Sequence, residues 1–149
     1  LQYTVRDPQG RLLACVRFGS AAWSCRARDA YIGWTAAQRA QRLTWVTNNT
    51  RFLILPDVTV PHLASWTLGQ VLRGLSADWQ RKYGHGLALV ETFVEGERFA
   101  GTAYRAANWV KVGQTTGRTR QDATRTIQTP VKDVYLYPLR RDFREVLQG

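Results

Sequence analysis

Residues 51–94 read RFLILPDVTVPHLASWTLGQVLRGLSADWQRKYGHGLALVETFV, and three periodicities follow one another within them. Phe52–Leu55 is a continuous apolar run stopped by Pro56, the pattern of a central strand covered on both faces. Asp57–Pro61 reads as a loop. From Leu63 to Tyr83 the apolar residues Leu68, Val71, Leu72, Leu75 and Trp79 recur at three- and four-residue steps, and Gly84 follows as a C-cap. That predicts a long amphipathic helix, with Asp78 and Lys82 as an i,i+4 pair on its exposed side. Leu87–Val94 is a second buried-type strand. A strand, a long helix and a strand in succession imply a parallel pair joined by a right-handed crossover.

Working outward, Leu1–Val5 and Leu12–Phe18 are strand-like runs joined by a turn containing Pro8 and Gly10. Gly19–Arg28 shows no periodicity. Thr35 and Gln38 have capping-box spacing and open a helix expected to reach about Val46, with Ala36, Ala40 and Leu43 facing the core and Arg39 and Arg42 outside. Asn48-Asn49 then reads as a turn. Beyond residue 94 the pattern predicts a short helix over Phe99–Asn108 and a strand over Trp109–Gly113. A long polar loop to Thr129, a strand over Lys132–Tyr137 and a helical turn over Phe143–Leu147 complete the chain. No internal repeat is present. The expected fold class is mixed α/β: one domain, residues 1–149, with a twisted mixed sheet and a long crossover helix.

The 149 residues carry 21 Lys+Arg against 11 Asp+Glu, a net charge of +10. This excludes an acidic binding protein and favours a polyanionic partner, with DNA or RNA first, a nucleotide-like cofactor second and a membrane surface a distant third. With 44% hydrophobic and 11% aromatic residues the chain is too apolar for a disordered tail. No apolar run approaches the ~18 residues that cross a bilayer. Cys15 and Cys25 lack the spacing of a metal motif and are expected as reduced thiols. The chain contains no Met, which points to a processed or excised piece of a longer protein.

Charge concentrates late in the chain. Between Arg98 and Lys132 there are seven basic side chains and a single acid, Asp122. Arg105, Lys111, Arg118, Arg120 and Arg125, interleaved with Thr, Gln and Gly, are the candidate phosphate-binding residues of a nucleic-acid surface; a merely solvated basic loop has the same composition. Trp66 and Trp109 flank the candidate segments as potential stacking platforms. Glu91 alternates with Leu87, Leu89 and Phe93, which turns a carboxylate toward an apolar side. Such a group suits a general base, and equally a structural ion pair with one of the arginines. His62 and Ser65 stand at the start of the long helix, where backbone N–H groups can hold a phosphate. His85, between two glycines, reads as loop. Asp57, Glu91, Glu95, Glu97 and Asp133 are isolated acids, so no metal site is expected.

Two resemblances add to this reading. The runs LASWTL, YGHGLALVETFV, FAGTAYRAANWVKVGQTTGRTRQD and KDVYLYP, within residues 63–138, resemble the DruA-like domain family of Druantia anti-phage proteins and their transposase-associated relatives. That resemblance implies a bacterial cytoplasm, mobile DNA as the setting, and other proteins of a defence or transposition system as partners. The succession of strand, long helix, strand, short helix and strand is also similar to the core of the GNAT acyltransferases, as is the spacing of Tyr104, Trp109, Val112 and Gly113. By that resemblance Tyr104 is a general acid, Glu91 faces the acceptor, and acetyl-CoA or an aminoacyl donor is the co-substrate. The segment Val60–Ser65, where that superfamily has a glycine-rich phosphate cradle, contains no glycine. The leading expectation is therefore a nucleic-acid-binding domain that needs no cofactor; acetyl-CoA enters only with the acyltransferase alternative.

Overall fold

A computed structural model of the chain describes residues 1–95, 101–116 and 131–149. Six strands form one mixed sheet. They are β1 (Gln2–Arg6), β2 (Leu12–Ser20), β3 (Val46–Ile54), β4 (Leu89–Val94), β5 (Val110–Gln114) and β6 (Asp133–Pro138), in the spatial order β1-β2-β3-β4-β6-β5. Only β3 and β4 pair in parallel; the other neighbours are antiparallel. The helices are α1 (Arg26–Ile32), α2 (Ala36–Arg42), α3 (Leu63–Tyr83), α4 (Thr102–Ala106) and α5 (Phe143–Gln148).

The sheet is covered on both faces. On one, Leu68, Leu72 and Leu75 of α3 pack with Val16, Phe18, Val90 and Tyr135. On the other, Ile32, Phe143 and Leu147 pack with Val46, Leu89, Val134 and Leu136. Each such side chain removed from water contributes roughly 1.5–3 kcal/mol before the cost of ordering it. The alternation of β4 feeds both layers, with Val90 and Val94 toward α3 and Leu89 and Phe93 away from it.

The long helix and the parallel crossover match the expectation. Several boundaries do not. Asn48 and Asn49 lie inside β3, because their amides bond across the sheet instead of capping a turn: Asn48 Nδ2 donates to Glu91 and Asn49 Nδ2 to the Arg17 carbonyl. The helix opened by Thr35 has the expected capping box but ends at Arg42 and buries no residue, so Ala36 and Ala40 do not face the core. Phe52–Leu55 is not covered on both faces, since Leu53 is 38% exposed. The supposed irregular stretch contains the end of β2 and the start of α1. Asp78 pairs with Arg81 and accepts the Tyr3 hydroxyl at 2.6 Å, while Lys82 lies over the Tyr83 ring. Both cysteines are free thiols, and no helix among the described residues is long and apolar enough to cross a membrane.

Candidate functional site

β3 and β4 pair over only three residue couples, from Val46↔Leu89 to Asn48↔Glu91. Past that point they separate. β3 continues along β2, with Thr50 as an extra residue between the Phe18↔Asn49 and Arg17↔Arg51 couples. β4 continues along β6 as far as Val94↔Asp133. The fork leaves a cleft of about 270 Å³ whose walls include Thr50, Arg51, Phe52, Thr92, Val94, Glu95 and Lys132. At its closed end the Thr92 hydroxyl donates to the Asn49 carbonyl at 3.1 Å, taking up an acceptor that a continued ladder would have used.

Tyr104, from α4, reaches into this fork. Its hydroxyl donates to Asn49 Oδ1 at 2.6 Å, and its ring meets Phe52 and Trp109 edge-on and stacks on Tyr135. Two left-handed residues bracket α4 and set this placement, Gly101 at φ 64° and Asn108 at φ 70°. At Gly101 a Cβ would stand 2.5 Å from the Tyr135 hydroxyl, so the approach of α4 to β6 needs glycine there. Burial holds the Tyr104 phenol above its ordinary pKa, and it is a neutral proton donor at physiological pH.

Glu91 occupies the other face of β4. Its side chain is fully buried, and both oxygens are engaged: Arg28 Nη1 donates at 2.7 Å, the Ala22 amide at 2.9 Å and Asn48 Nδ2 at 3.0 Å. Arg28 is itself fully buried and also donates to the Ala22 carbonyl at 2.6 Å and to Asp29. Burial alone would lower the guanidinium pKa, but Glu91 and Asp29 outweigh it and raise it. The structure therefore does not bring Glu91 and Tyr104 together. The sheet lies between them, and the adjacent residues Asn48 and Asn49 serve one each.

The remaining candidates fall in three places. His62 takes a left-handed conformation, φ 58°, at the exposed N-terminus of α3, and Ser65 Oγ donates to its carbonyl at 3.3 Å. Arg105 lies over the Tyr135 ring, and Lys111 pairs with Asp133 at 3.4 Å, both on the β5–β6 side of the fork. Arg118, Arg120 and Arg125 lie outside the described residues. The chain enters and leaves their segment at one point, where the Thr115 amide donates to the Lys132 carbonyl and the Lys132 amide to Thr115 Oγ1, both at 2.9 Å. Lys132 also lines the cleft. Trp66 is 55% exposed, whereas Trp109 is buried. Among the described residues no cluster of His, Cys, Asp and Glu is placed to hold a metal.

Sequence reasoning missed Asn49, Thr92 and Arg28. Asn49 and Thr92 lie within runs rich in β-branched residues, which was the available signal for strand. Arg28 had none, because its partner is 63 residues away.

Solved structures with the same fold are acetyltransferases. The spermidine/spermine N-acetyltransferase SpeG of Vibrio cholerae superposes with a TM-score of 0.59 at 12% identity, covering 93% of this chain and 64% of that one. A GNAT superfamily phosphinothricin acetyltransferase from Sinorhizobium meliloti, in complex with AcCoA, gives 0.56 at 9% identity, covering 92% and 60%. The chain thus spans under two thirds of the length of these neighbours. At such identities the likeness establishes the GNAT-like fold. No curated protein sequence matches significantly. The family model described as Druantia protein DruA matches residues 1–130, and the chain belongs to that family.

Proposed function

We propose that this domain of a defence-system protein is an acyltransferase working in the fork between β3 and β4. The observation that carries the reading is the placement of a neutral, oriented Tyr104 phenol in the gap where a parallel pair separates. Past Asn48 the inner edge of β3 has no strand partner on that side among the described residues, which suits an extended, amide-bearing arm of the kind CoA carries. The residues fit such a molecule with one departure. The connection between β3 and α3 carries Pro56 and Pro61, which lack N–H groups, and no glycine. Phosphate charge would instead meet Arg51 and Lys132 in the cleft walls, with His62 and Ser65 at the helix start.

Acetyl-CoA, when bound, supplies an activated acyl group as a thioester. Tyr104 holds a proton on its phenolic oxygen, donated to Asn49 Oδ1 until a bound acceptor takes it, and the rings of Phe52, Trp109 and Tyr135 fix the phenol's position. Glu91 acts in this reading through the sheet, fixing the point of separation from behind. Titration with acetyl-CoA by calorimetry tests the proposal: saturable heat is expected, and no heat at millimolar ligand would remove it. Tyr104→Phe should leave binding within about two-fold and lower any transfer rate by roughly 10²–10⁴, the range for a lost general acid.

A second reading is favoured by the basic composition of residues 98–132 and by Lys132 in the cleft wall. In it Arg118, Arg120 and Arg125, with Arg105 and Lys111, bind the phosphates of DNA or RNA. This fits a cytoplasmic defence protein acting with partners of the same system. Binding should then weaken steeply with salt, and replacing Arg118, Arg120 and Arg125 together by Ala should reduce the log–log slope by roughly 2–3. An unchanged slope would exclude that segment as the phosphate site.

A further inference from the structure

At the end of the sheet away from the fork, where β3 begins, a groove of about 600 Å³ opens between the end of β2, the 3-10 turn at Leu43–Trp45 and the last turn of α3. Its walls are unusually aromatic. Trp23 and Tyr83 line it while 46% and 47% exposed. Trp79 packs against the Tyr83 ring at 4.5 Å, and the His85 ring lies 5.7 Å from Trp45. Exposed aromatic surface of this size in a soluble fold marks a binding site.

The charges around the groove select among ligands. Each exposed ring has a cation over it: Arg39 over Trp23 at 5.3 Å and Lys82 over Tyr83 at 5.5 Å. No Asp or Glu is among the groove's lining residues. A cationic ligand, which aromatic cages otherwise favour, would meet these like charges on a chain of net charge +10. Arg39 is also held by Asp29 at 3.1 Å, so an anionic backbone would share that cation and meet Lys82 beside Tyr83; rings paired with cations are what sequence-tolerant single-strand binding uses. Trp79, more than nine-tenths buried, lines the groove with an indole N–H that has no partner among the described residues.

We propose that this groove stacks the bases of single-stranded nucleic acid on Trp23 and Tyr83, with Arg39 and Lys82 toward the flanking phosphates. The groove shares no lining residue with the Tyr104 cleft, and none of its lining residues belongs to the segment carrying Arg118, Arg120 and Arg125.

The experiment uses the whole chain, ten-nucleotide oligo-dT and oligo-U, and quenching of tryptophan fluorescence at low salt. Binding with quenching is expected. Trp23→Ala and Tyr83→Ala should each weaken it roughly five- to a hundred-fold, and Trp23→Phe should restore most of it, since any aromatic face can stack. Both side chains are half exposed, and circular dichroism and thermal melting report that each variant is folded. Binding by the Trp23→Ala/Tyr83→Ala double variant equal to that of the unsubstituted chain would overturn the proposal. So would failure of the unsubstituted chain to bind either oligomer, an outcome that leaves the groove to an apolar protein segment. The Arg118/Arg120/Arg125 triple variant separates the two nucleic-acid readings. If it alone abolishes binding while the aromatic variants do not, the basic segment stands and the groove proposal falls.

Discussion

Replacing Arg28 by Met removes one charge from a pair that is wholly out of solvent. The expected cost follows from what is left behind. Glu91 is left in a fully buried position with only the Ala22 amide and the Asn48 side chain as donors. The Ala22 carbonyl, which accepted Arg28 Nη1 at 2.6 Å, loses its partner, and so does the Trp23 carbonyl at 3.3 Å. Breaking a buried pair from one side costs about 3–5 kcal/mol, because the surviving charge is stranded in a medium that cannot solvate it. For a domain of this length that corresponds to a fall of roughly 10 °C or more in Tm. Glu91→Leu leaves the buried Arg28 with Asp29 as its remaining carboxylate and also costs stability. The Arg28→Met/Glu91→Leu double variant removes both charges and should be no worse than either single change, which puts roughly 3 kcal/mol of coupling into the cycle. Urea unfolding followed by circular dichroism measures all four proteins. A cost below about 1 kcal/mol for Arg28→Met, or additivity across the cycle, would refute the view that this pair holds the fork from behind.

Gly101→Ala places a Cβ against the Tyr135 hydroxyl in a left-handed backbone position, and a loss of about 1–3 kcal/mol is expected in urea unfolding. Because Tyr135 stacks on Tyr104, the same variant should disturb the near-UV circular dichroism of the aromatic cluster. Alkaline stability offers a further check. Burial holds the Tyr3 phenol above its ordinary value, reinforced by its hydrogen bond to Asp78, and burial does the same for Tyr104. The folded chain then retains phenolic protons that the unfolded chain sheds near pH 10. Their contribution to stability is complete below pH 10 and declines as the pH rises toward the folded values. Burial of the Cys25 thiol adds in the same direction from about pH 9. Tm recorded between pH 8.5 and 11 should fall, and fall less steeply in Tyr3→Phe; an identical slope would contradict the assigned direction.

How much of this was legible in the sequence depends on whether the deciding interaction is local. The apolar spacing of α3 and its Gly84 cap are local, and the helix lies where they put it. The Thr35–Gln38 capping box is local and present, but the burial assigned to α2 depended on which neighbours came to cover it, and none covers Ala36 or Ala40. Asn48-Asn49 has the composition of a turn; its strand conformation is set by Arg17 and Glu91, distant in sequence, whose groups the two amides bond. The site divides in the same way. Alternation along β4 correctly turned Glu91 away from solvent, though the strand begins at Leu89 and Leu87 packs on the α3 side. The carboxylate and phenol that the GNAT resemblance put to one task are separated by the sheet, which a one-dimensional pattern does not register.

The fork also bears on how this protein stays apart from its own copies. A strand edge with unpaired amides on the outside of a sheet is a template for edge-to-edge association, and proteins blunt such edges with charge, twist or cover. Here the unpaired inner edge of β3 lies within the molecule, between β4 on one side and Tyr104 at its end. A gap flanked by β4 and the Tyr104 ring offers a second sheet less of that edge than an outer strand would.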